Sequence, residues 1–353
     1  MIDPLIEPLI DPFGRTLDYL RVSITDRCNL RCVYCMPPAG VEWKPHDSML
    51  RFEEIIRLCG IMAAMGIRRV KVTGGEPLVR KGTAPFIRSL KAIRGIEQVT
   101  ITTNGLLLDT FLNEAGDAAQ GEWIAAQQAA IPDAFNISLD SLNPERFARI
   151  TRSPPELSAE YMPQKILSII NDLLKKNIPL KINCVPVRGF NEEDMVPIAA
   201  LAKDKKIAVR FIELMPMGIA SALKPIPNNE VASILEKQFG PLTPFAGKLG
   251  NGPARYYTLK GFLGNIGFIS PLSHNFCESC NRLRLSSGGI LQPCLSSDIG
   301  TDLRLLLRGN ASDAELANAI MELVLQKPRS HTFLDLPAAA PAGLKNSMYR
   351  IGG

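Results

Sequence analysis

The sequence contains few histidines, and its charges nearly balance. Only His46, His274 and His331 occur among 353 residues, so we expect neither a histidine-rich metal site nor catalysis by several histidines. No uncharged apolar run reaches the roughly eighteen residues that a transmembrane helix needs. The net charge of +5 is compatible with a small anionic ligand, but it is too weak to indicate a nucleic-acid partner.

The N-terminus also lacks the features of a targeting segment. It reads MIDPLIEPLIDPFGR, with early acidic residues, three prolines and no basic stretch before Arg15. This is neither a secretory signal nor an Arg-rich transit peptide, so we expect a cytoplasmic protein. In a reducing cytoplasm, eight cysteines are better explained by metal or redox chemistry than by disulfides.

Short Val- and Ile-rich segments alternate with helical patterns from residue 19 to residue 213. Hydrophobic residues make up 46% of the chain, which is enough for a sizeable core in one large domain or two. Six βα units imply a parallel sheet with external helices, either open or a partial barrel, and chemistry at the carboxyl ends of its strands. The predicted strands are Tyr19–Ile24, Arg69–Thr73, Gln98–Thr102, Ala134–Leu139, Leu180–Val187 and Ala208–Glu213. The predicted helices are Phe52–Met65, Pro85–Ile93, Asp109–Ala130, Pro144–Ile150, Tyr161–Lys176 and Met195–Lys203.

The composition and the pattern of predicted elements change after Met215, where a Pro- and Gly-rich linker precedes a mixed α and β segment. The predicted elements there are a helix at Asn229–Phe239, strands at Ala254–Leu259, Phe262–Ile269, Arg282–Ser286 and Gly289–Leu291, and helices at Thr301–Leu307 and Asp313–Gln326.

Three cysteines follow the first strand at the spacing C-x3-C-x2-C, namely Cys28, Cys32 and Cys35. Thiolates at this spacing suit zinc or an iron–sulfur cluster. Three ligands leave one iron of a four-iron cluster free to bind substrate. The alternative is a zinc site completed by a distant fourth ligand.

Polar residues end the following strands. Gly74, Gly75 and Glu76 end the second strand, where glycines allow close backbone approach, although an ordinary turn fits too. Thr102 ends the third and either binds a polar ligand or caps a turn. Asn136, Ser138 and Asp140 share one face of the fourth by strand alternation.

Further along the barrel, a lysine and a methionine are candidate ligand contacts. Lys181 in the fifth strand either meets an anion or faces solvent at a strand edge. Met215, after the sixth strand, is by itself more typical of packing.

The second cysteine set is Cys277, Cys280 and Cys294, at the spacing C-x2-C-x13-C. A zinc ribbon would need a fourth ligand, for which His274 is a candidate. Arg282 and Arg284, on one face of the next strand, favour a phosphate or carboxylate ligand instead. Their other interpretation is surface solubility.

The string RVSITDRCNLRCVYCMP, with Tyr34 before the last cysteine, resembles the radical S-adenosylmethionine (SAM) enzymes. Further ordered matches, TGGEPLVRKG, TTNGLLL, NISLDSL, RFIELMPMG, FCESCNRLRLS and a terminal Gly-Gly, resemble the GTP 3′,8-cyclase family of molybdenum cofactor biosynthesis. The resemblance runs from about Phe13 to Gly353. It implies an α/β fold, an incomplete (βα)6 barrel like that of triosephosphate isomerase, with a C-terminal α+β part closing the open side. We expect an N-terminal extension at 1–18, the radical SAM partial barrel at 19–218 and a C-terminal domain at 219–353.

The same resemblance implies two [4Fe-4S] clusters, one on Cys28, Cys32 and Cys35 and one on Cys277, Cys280 and Cys294. The residues implied to line SAM are Tyr34, Gly75, Ser138 and Met215. Those implied to contact GTP are Arg21, Lys71, Thr102, Lys181, Arg282 and Arg284. Gly352 and Gly353, with Arg282 and Arg284, are implied to serve catalysis.

The implied reaction converts GTP to (8S)-3′,8-cyclo-7,8-dihydroguanosine 5′-triphosphate, after a 5′-deoxyadenosyl radical abstracts the ribose 3′ hydrogen. It implies an electron donor and a downstream cyclic pyranopterin monophosphate synthase as functional partners, no nucleic acid or membrane, and a monomer or homodimer. The alternative is another radical SAM enzyme with an auxiliary cluster, such as a peptide-modifying maturase. A zinc-dependent binding module would leave the βα array unexplained.

The sequence departs from the family in three ways. Lys71 stands where most members have arginine, which keeps the charge but loses the bidentate fork. Residues Glu114–Ala130 form a longer stretch than usual, which we expect to be an external helix without a catalytic role. The Pro-rich N-terminal extension has no interpretation at this level.

Overall fold

The computed structural model describes residues 8–41, 45–116, 129–154, 161–333 and 348–351. Twelve strands in this part of the chain form one mixed sheet. No helix within it is long and apolar enough to cross a membrane.

The first half of the chain builds six consecutive parallel strands. Each predicted strand forms, within a few residues of its expected bounds. The strands are β1 (Tyr19–Ser23), β2 (Arg69–Thr73), β3 (Gln98–Thr103), β4 (Ala134–Ser138), β5 (Leu180–Cys184) and β6 (Ala208–Ile212). The helices that follow them are α1 (Phe52–Ala64), α2 (Thr83–Lys91), α3 (Leu108–Gly116), α4 (Pro144–Thr151), α5 (Met162–Lys175) and α6 (Met195–Ala200).

The C-terminal part extends this parallel array at both edges. Strand β9 (Asn265–Ile269) pairs parallel with β6, and β10 (Arg282–Leu285) pairs parallel with β1. Antiparallel strands continue outward, β8 (Arg255–Thr258) and β7 (Thr243–Pro244) on one side, β11 (Ile290–Gln292) and β12 (Thr301–Asp302) on the other. The α/β partial-barrel prediction is confirmed, and the C-terminal strands occupy both edges of the six-strand array.

Four further helices accompany these strands in the described residues. They are α7 (Asn228–Phe239), α8 (Leu303–Arg308), α9 (Asp313–Val324) and α10 (Met348–Ile351). The guanidinium of Arg308 ties α8 to the first βα unit through the Glu54 carboxylate on α1 and the Met49 carbonyl.

Strand alternation separates two environments. Apolar side chains such as Leu20, Val22 and Val70 point outward and are fully buried against the helices. The alternate positions, including Arg21 and Lys71, line an internal cavity. The period of two along each strand therefore produces both a dry outer core and a polar interior.

Several expectations differ in extent or fall partly outside the described residues. The helix predicted at Thr301–Leu307 begins at Leu303, because Thr301 and Asp302 pair with β11 as strand β12. Strand β5 ends at Cys184 rather than Val187, since Pro186 cannot donate to a ladder. The helix predicted at Asp109–Ala130 is described only as α3 and at 129–130, so most of the Glu114–Ala130 stretch lies outside the described residues. Residues 8–18 of the expected extension pack on the barrel, and Leu9 and Leu17 are fully buried.

We predict that Phe135→Ala lowers the free energy of unfolding by about 3–5 kcal/mol, because it leaves a cavity in the core. Phe135 on β4 is fully buried and lies edge-on to Phe111, with ring centroids 6.3 Å apart. Denaturant unfolding measures the loss. The control Leu305→Ala removes a side chain that is 64% exposed and should stay within about 0.5 kcal/mol of the parent. Similar losses for both variants would contradict this account of the core.

Candidate active site

One cavity of about 310 Å³ collects the chemistry-bearing residues of both halves of the chain. Inward-facing strand residues form its wall, and the loops after the carboxyl ends of the strands form its rim. The two cysteine sets, separated by more than two hundred residues in sequence, both line it.

The first cysteine loop connects β1 to α1 and is held from several sides. The Arg31 amide donates to the Thr151 carbonyl at 2.8 Å, and the Val33 amide donates to the Ile150 carbonyl at 2.9 Å. The Asn104 side-chain amide donates to Asn29 Oδ1 at 2.7 Å. The loop is therefore fixed by the end of α4 and by the turn after β3.

The Gly-Gly-Glu segment after β2 supports that loop. A Cβ on Gly75 would overlap the carbonyl oxygen of Arg27, so the close approach is made to the cysteine loop itself. Glu76 is buried and accepts hydrogen bonds from Thr103 Oγ1 and the Asn104 amide, both at 2.7 Å. Burial raises the pKa of Glu76 to about 7, although these hydrogen bonds favour its charged form and act to lower the pKa.

A second buried carboxylate positions the aromatic residue of the cysteine motif. Tyr34 donates its hydroxyl proton to Asp140 Oδ2 at 2.6 Å, and Asp140 Oδ1 accepts from the Val185 amide at 2.8 Å. Burial raises the pKa of Asp140 to about 6, although these donors favour its charged form.

The first cysteines suit a soft, positively charged group. All three thiols are free and half-buried. Burial raises the pKa of Cys28 and of Cys35 to about 12 and that of Cys32 well above its ordinary value, so their thiolates form at neutral pH only beside a cation. The donor set, three thiols on one loop, fits an iron–sulfur cluster with one open iron.

The second cysteine set lies on the C-terminal rim. Cys277 is the first residue of a single 3-10 turn, Cys280 follows that turn, and Cys294 follows β11. Although burial opposes it, the positive charges of Arg282, Lys327 and Arg284 lower the pKa of Cys280 to about 7. These free thiols also suit a metal cluster.

The strand-end carboxylate Glu213 holds the loop that leads to Cys277. It is buried and accepts from the backbone amides of Leu272 and Ser273, each at 3.1 Å. His274, the candidate fourth zinc ligand, is exposed and lies 3.3 Å from the Ser273 hydroxyl. It does not line the cavity.

No group of three or more His, Cys, Asp or Glu side chains in the described residues is arranged to hold a single metal ion. A four-iron cluster spreads its thiolates over several metal atoms, so it accommodates ligands that lie farther apart than those of one ion.

A row of cations crosses the inner wall of the barrel. In the strand register Arg284 on β10, Arg21 on β1 and Lys71 on β2 lie side by side. Burial, reinforced by the neighbouring positive charges, lowers the pKa of each of the three. Such a row gains most from a multiply charged anion.

Arg210 on β6 joins this positive surface and was not singled out from the sequence. It is buried, lines the cavity and donates to the side-chain oxygens of Asn183, at 2.9 Å, and Asn136. A charged residue inside the apolar strand AVRFI was the available signal.

The structure brings nearly all predicted site residues together. The residues that line the cavity are Arg21, Cys28, Cys32, Tyr34, Cys35, Lys71, Gly75, Thr102, Ser138, Met215, Cys277, Cys280, Arg282, Arg284 and Cys294. Lys181 does not line it, because its ammonium donates to the Leu249 carbonyl at 2.7 Å. Gly352 and Gly353 lie outside the described residues.

Family models match both halves of the chain. The Radical SAM superfamily model matches residues 22–202, and the model described as Molybdenum Cofactor Synthesis C matches residues 207–333. The crystal structure of Streptococcus suis SuiB bound to S-adenosylmethionine is similar with a TM-score of 0.52 at 14% identity, over 86% of this chain and 67% of that one. The fold and the first cysteine loop thus define a radical SAM protein.

Two curated relatives identify a family within the radical SAM superfamily. A GTP 3′,8-cyclase of Heliobacterium modesticaldum is 45% identical, over 93% of this chain and 95% of its own. One from Petrotoga mobilis is 42% identical, over 98% of this chain and 100% of its own. The chain belongs to the GTP 3′,8-cyclase family, which decides against a peptide-modifying maturase and a zinc-binding module.

We predict that Gly75→Ala lowers both the iron bound by the first cysteine loop and SAM cleavage, since the new methyl group displaces the Arg27 carbonyl at the start of that loop. Iron and sulfide analysis after anaerobic reconstitution, with chromatography of 5′-deoxyadenosine, measures the loss. Gly60→Ala is the matched control, because a Cβ on this helical glycine meets no atom within 4 Å beyond the adjacent residues and the nearby backbone of its own helix. Full iron and SAM cleavage in Gly75→Ala would overturn the close-approach argument.

Proposed function

We propose that this protein converts GTP to (8S)-3′,8-cyclo-7,8-dihydroguanosine 5′-triphosphate for molybdenum cofactor biosynthesis. The observation that carries the proposal is the single cavity, which combines two sets of three free cysteines with a row of buried cations. Its two sets of soft ligands suit two redox-active groups, and its cations suit a polyphosphate.

Cys28, Cys32 and Cys35 would hold the [4Fe-4S] cluster that radical SAM chemistry requires. When bound, this cluster and SAM would supply a 5′-deoxyadenosyl radical for abstraction of the ribose 3′ hydrogen of GTP. Tyr34 would stand beside SAM in a fixed orientation, because its hydroxyl is bonded to Asp140. The other proposed SAM contacts are Gly75, Ser138 and Met215.

Cys277, Cys280 and Cys294 would hold a second [4Fe-4S] cluster, whose open iron would meet the guanine base. Support comes from their position on the same cavity as the first loop and from the cations that favour the Cys280 thiolate. Three ligands, with His274 directed elsewhere, leave one iron available to a substrate.

The triphosphate would bind the cation row of Arg284, Arg21 and Lys71. Each charge-assisted hydrogen bond to phosphate contributes about 1.5–3 kcal/mol, and an anion also offsets the repulsion among these buried charges. Lys71 supplies charge without the bidentate fork that arginine would offer. Arg282 and Thr102 would complete the GTP contacts.

Lys181 would need to exchange a protein contact for GTP. Its ammonium now donates to Leu249, and burial beside Arg210 lowers its pKa to about 8. The exchange is favourable if the phosphate replaces a neutral carbonyl as its acceptor.

The Gly-Gly terminus would reach the cavity from α10. Met348 in that helix lines the cavity, and Gly352 follows directly after Ile351. Glycines have no side chain, so Gly352 and Gly353 could enter a crowded site beside Arg282 and Arg284.

The proposed partners are an electron donor for the first cluster and, downstream, a cyclic pyranopterin monophosphate synthase. The anaerobic assay that tests the proposal combines the reconstituted chain, dithionite, SAM and GTP. Formation of 5′-deoxyadenosine and the cyclised nucleotide, each depending on GTP, is the expected result. Deoxyadenosine without any change in GTP would contradict GTP as the substrate.

We predict that Cys294→Ala abolishes cyclisation but retains substantial uncoupled SAM cleavage, because only the second cysteine set is broken. The same assay, with both products quantified, separates the two activities. Cys59→Ala is the control, since Cys59 is a fully buried thiol on α1 away from the cavity. An unchanged yield of cyclised nucleotide in Cys294→Ala would rule out the second cluster.

Arg284→Ala should weaken GTP binding by about tenfold or more, since it removes at least one charge-assisted phosphate contact. SAM binding should change much less, because Arg284 belongs to the cation row. Calorimetry with each ligand provides the comparison. Arg255→Ala removes an exposed arginine outside the cavity and serves as the control. Equal losses for GTP and SAM in Arg284→Ala would count against a triphosphate site.

A further inference from the structure

The segment before β1 forms a tight turn against the second cysteine loop. Leu9 and Leu17 are fully buried, and their backbones pair through the Leu17 amide and the Leu9 carbonyl at 2.8 Å. Gly14 provides the positive φ of +75° that the turn requires, and Asp11 Oδ1 accepts from the Arg15 amide at 3.0 Å. The turn therefore fixes the direction of the Arg15 side chain.

The guanidinium of Arg15 joins three distant parts of the chain. It is buried, and its Nε pairs with the Asp11 carboxylate. One terminal nitrogen donates to the Cys277 carbonyl at 2.8 Å and to the Arg329 carbonyl at 2.9 Å. The other donates to the Pro328 carbonyl at 2.7 Å. A single side chain thus satisfies a carboxylate and three carbonyls.

The other end of the C-x2-C turn is also held by the N-terminal segment. Asp18 Oδ1 accepts from the Asn281 side-chain amide at 2.6 Å, and the Tyr19 amide donates to the Asn281 carbonyl at 3.2 Å. Asn281 follows Cys280 directly. Arg15 and Asp18 therefore bracket the turn that carries two of the three cysteines.

The segment 327–329 connects this turn to the third cysteine. Lys327 is buried, and its ammonium donates to the Arg282 carbonyl at 2.9 Å and to the Pro293 carbonyl. Pro293 precedes Cys294. Because Arg15 binds the two carbonyls that follow Lys327, it couples the position of Cys277 to that of Cys294.

We propose that Arg15 is a positioning residue for the second cysteine set, holding Cys277 in register with Cys294 through the 327–329 segment. The proposal rests on the proposed function, since it takes these cysteines as ligands of a second cluster. It assigns a role to the N-terminal turn, which makes no contribution to the wall of the cavity. No shorter or single-pronged side chain can reach all four acceptors at once.

The test uses the full-length chain carrying Cys28→Ser, Cys32→Ser and Cys35→Ser, so that only the second cysteine set can bind iron. Arg15→Gln and Arg15→Lys are made in this background. Arg308→Gln is the matched control, because Arg308 also joins a carboxylate to backbone carbonyls across the chain but does not line the cavity. Arg15→Lys keeps the charge and remains informative if Arg15→Gln does not fold.

Three measurements are compared. In the iron-free chain, Cys277 should be alkylated about tenfold faster in the Arg15 variants, as read by mass spectrometry of its peptide. In the iron-loaded chain, the electron paramagnetic resonance signal of the reduced second cluster, and its change on adding GTP, should differ from the parent. With the first cysteines restored, KM for GTP should rise while KM for SAM stays unchanged.

The outcomes separate this proposal from the proposed function. The alkylation rate requires no iron, so it decides the role of Arg15 whether or not the parent background binds iron. Failure of the parent background to bind iron would contradict the second cluster, and with it the proposed function. Parent-like alkylation and spectra in both Arg15 variants would overturn the proposal. So would identical changes in Arg308→Gln, because they would reflect general loosening of the fold.

Discussion

The burial of like charges on neighbouring strands is the constraint on which the rest of this structure depends. Arg284, Arg21 and Lys71 lie in register across three adjacent strands, and burial lowers the pKa of each. Removing charges from water is costly, and mutual repulsion adds to that cost. The arrangement is therefore costly unless an anion is bound, and the stability of the fold must come from elsewhere in the molecule.

That stability comes from the outer face of the same strands and from contacts that join the C-terminal part of the chain to the first βα unit. The alternate strand residues pack against the helices in one continuous apolar core. The side chains of Asp18 and Asn281 join the residues that precede β1 and β10, and Arg308 on α8 binds Glu54 on α1. The cations can remain in place because their strands cannot move apart without breaking these contacts.

The sequence allowed the strands, their order in the first half and the cysteine positions to be predicted, because these depend on local period and spacing. It could not show that β9 and β10 pair with β6 and β1, since register between distant segments leaves no local pattern. For the same reason the pattern does not show that the Lys181 ammonium donates to the Leu249 carbonyl, or that Arg210 donates to Asn183. Contacts between residues that lie far apart in sequence cannot be predicted from the local sequence pattern.

The carboxylates and the cations of the cavity occupy different positions, and the carboxylates contact backbone amides of the loops. Glu76, Asp140 and Glu213 lie near strand ends, and each accepts backbone amides from a loop that carries or supports the cysteines. Hydrogen bonds of this kind satisfy a buried carboxylate without a cation. These acids therefore hold the loops around the cavity. Carboxylates at the strand ends thus fix the loops around a cavity whose wall carries the buried cations.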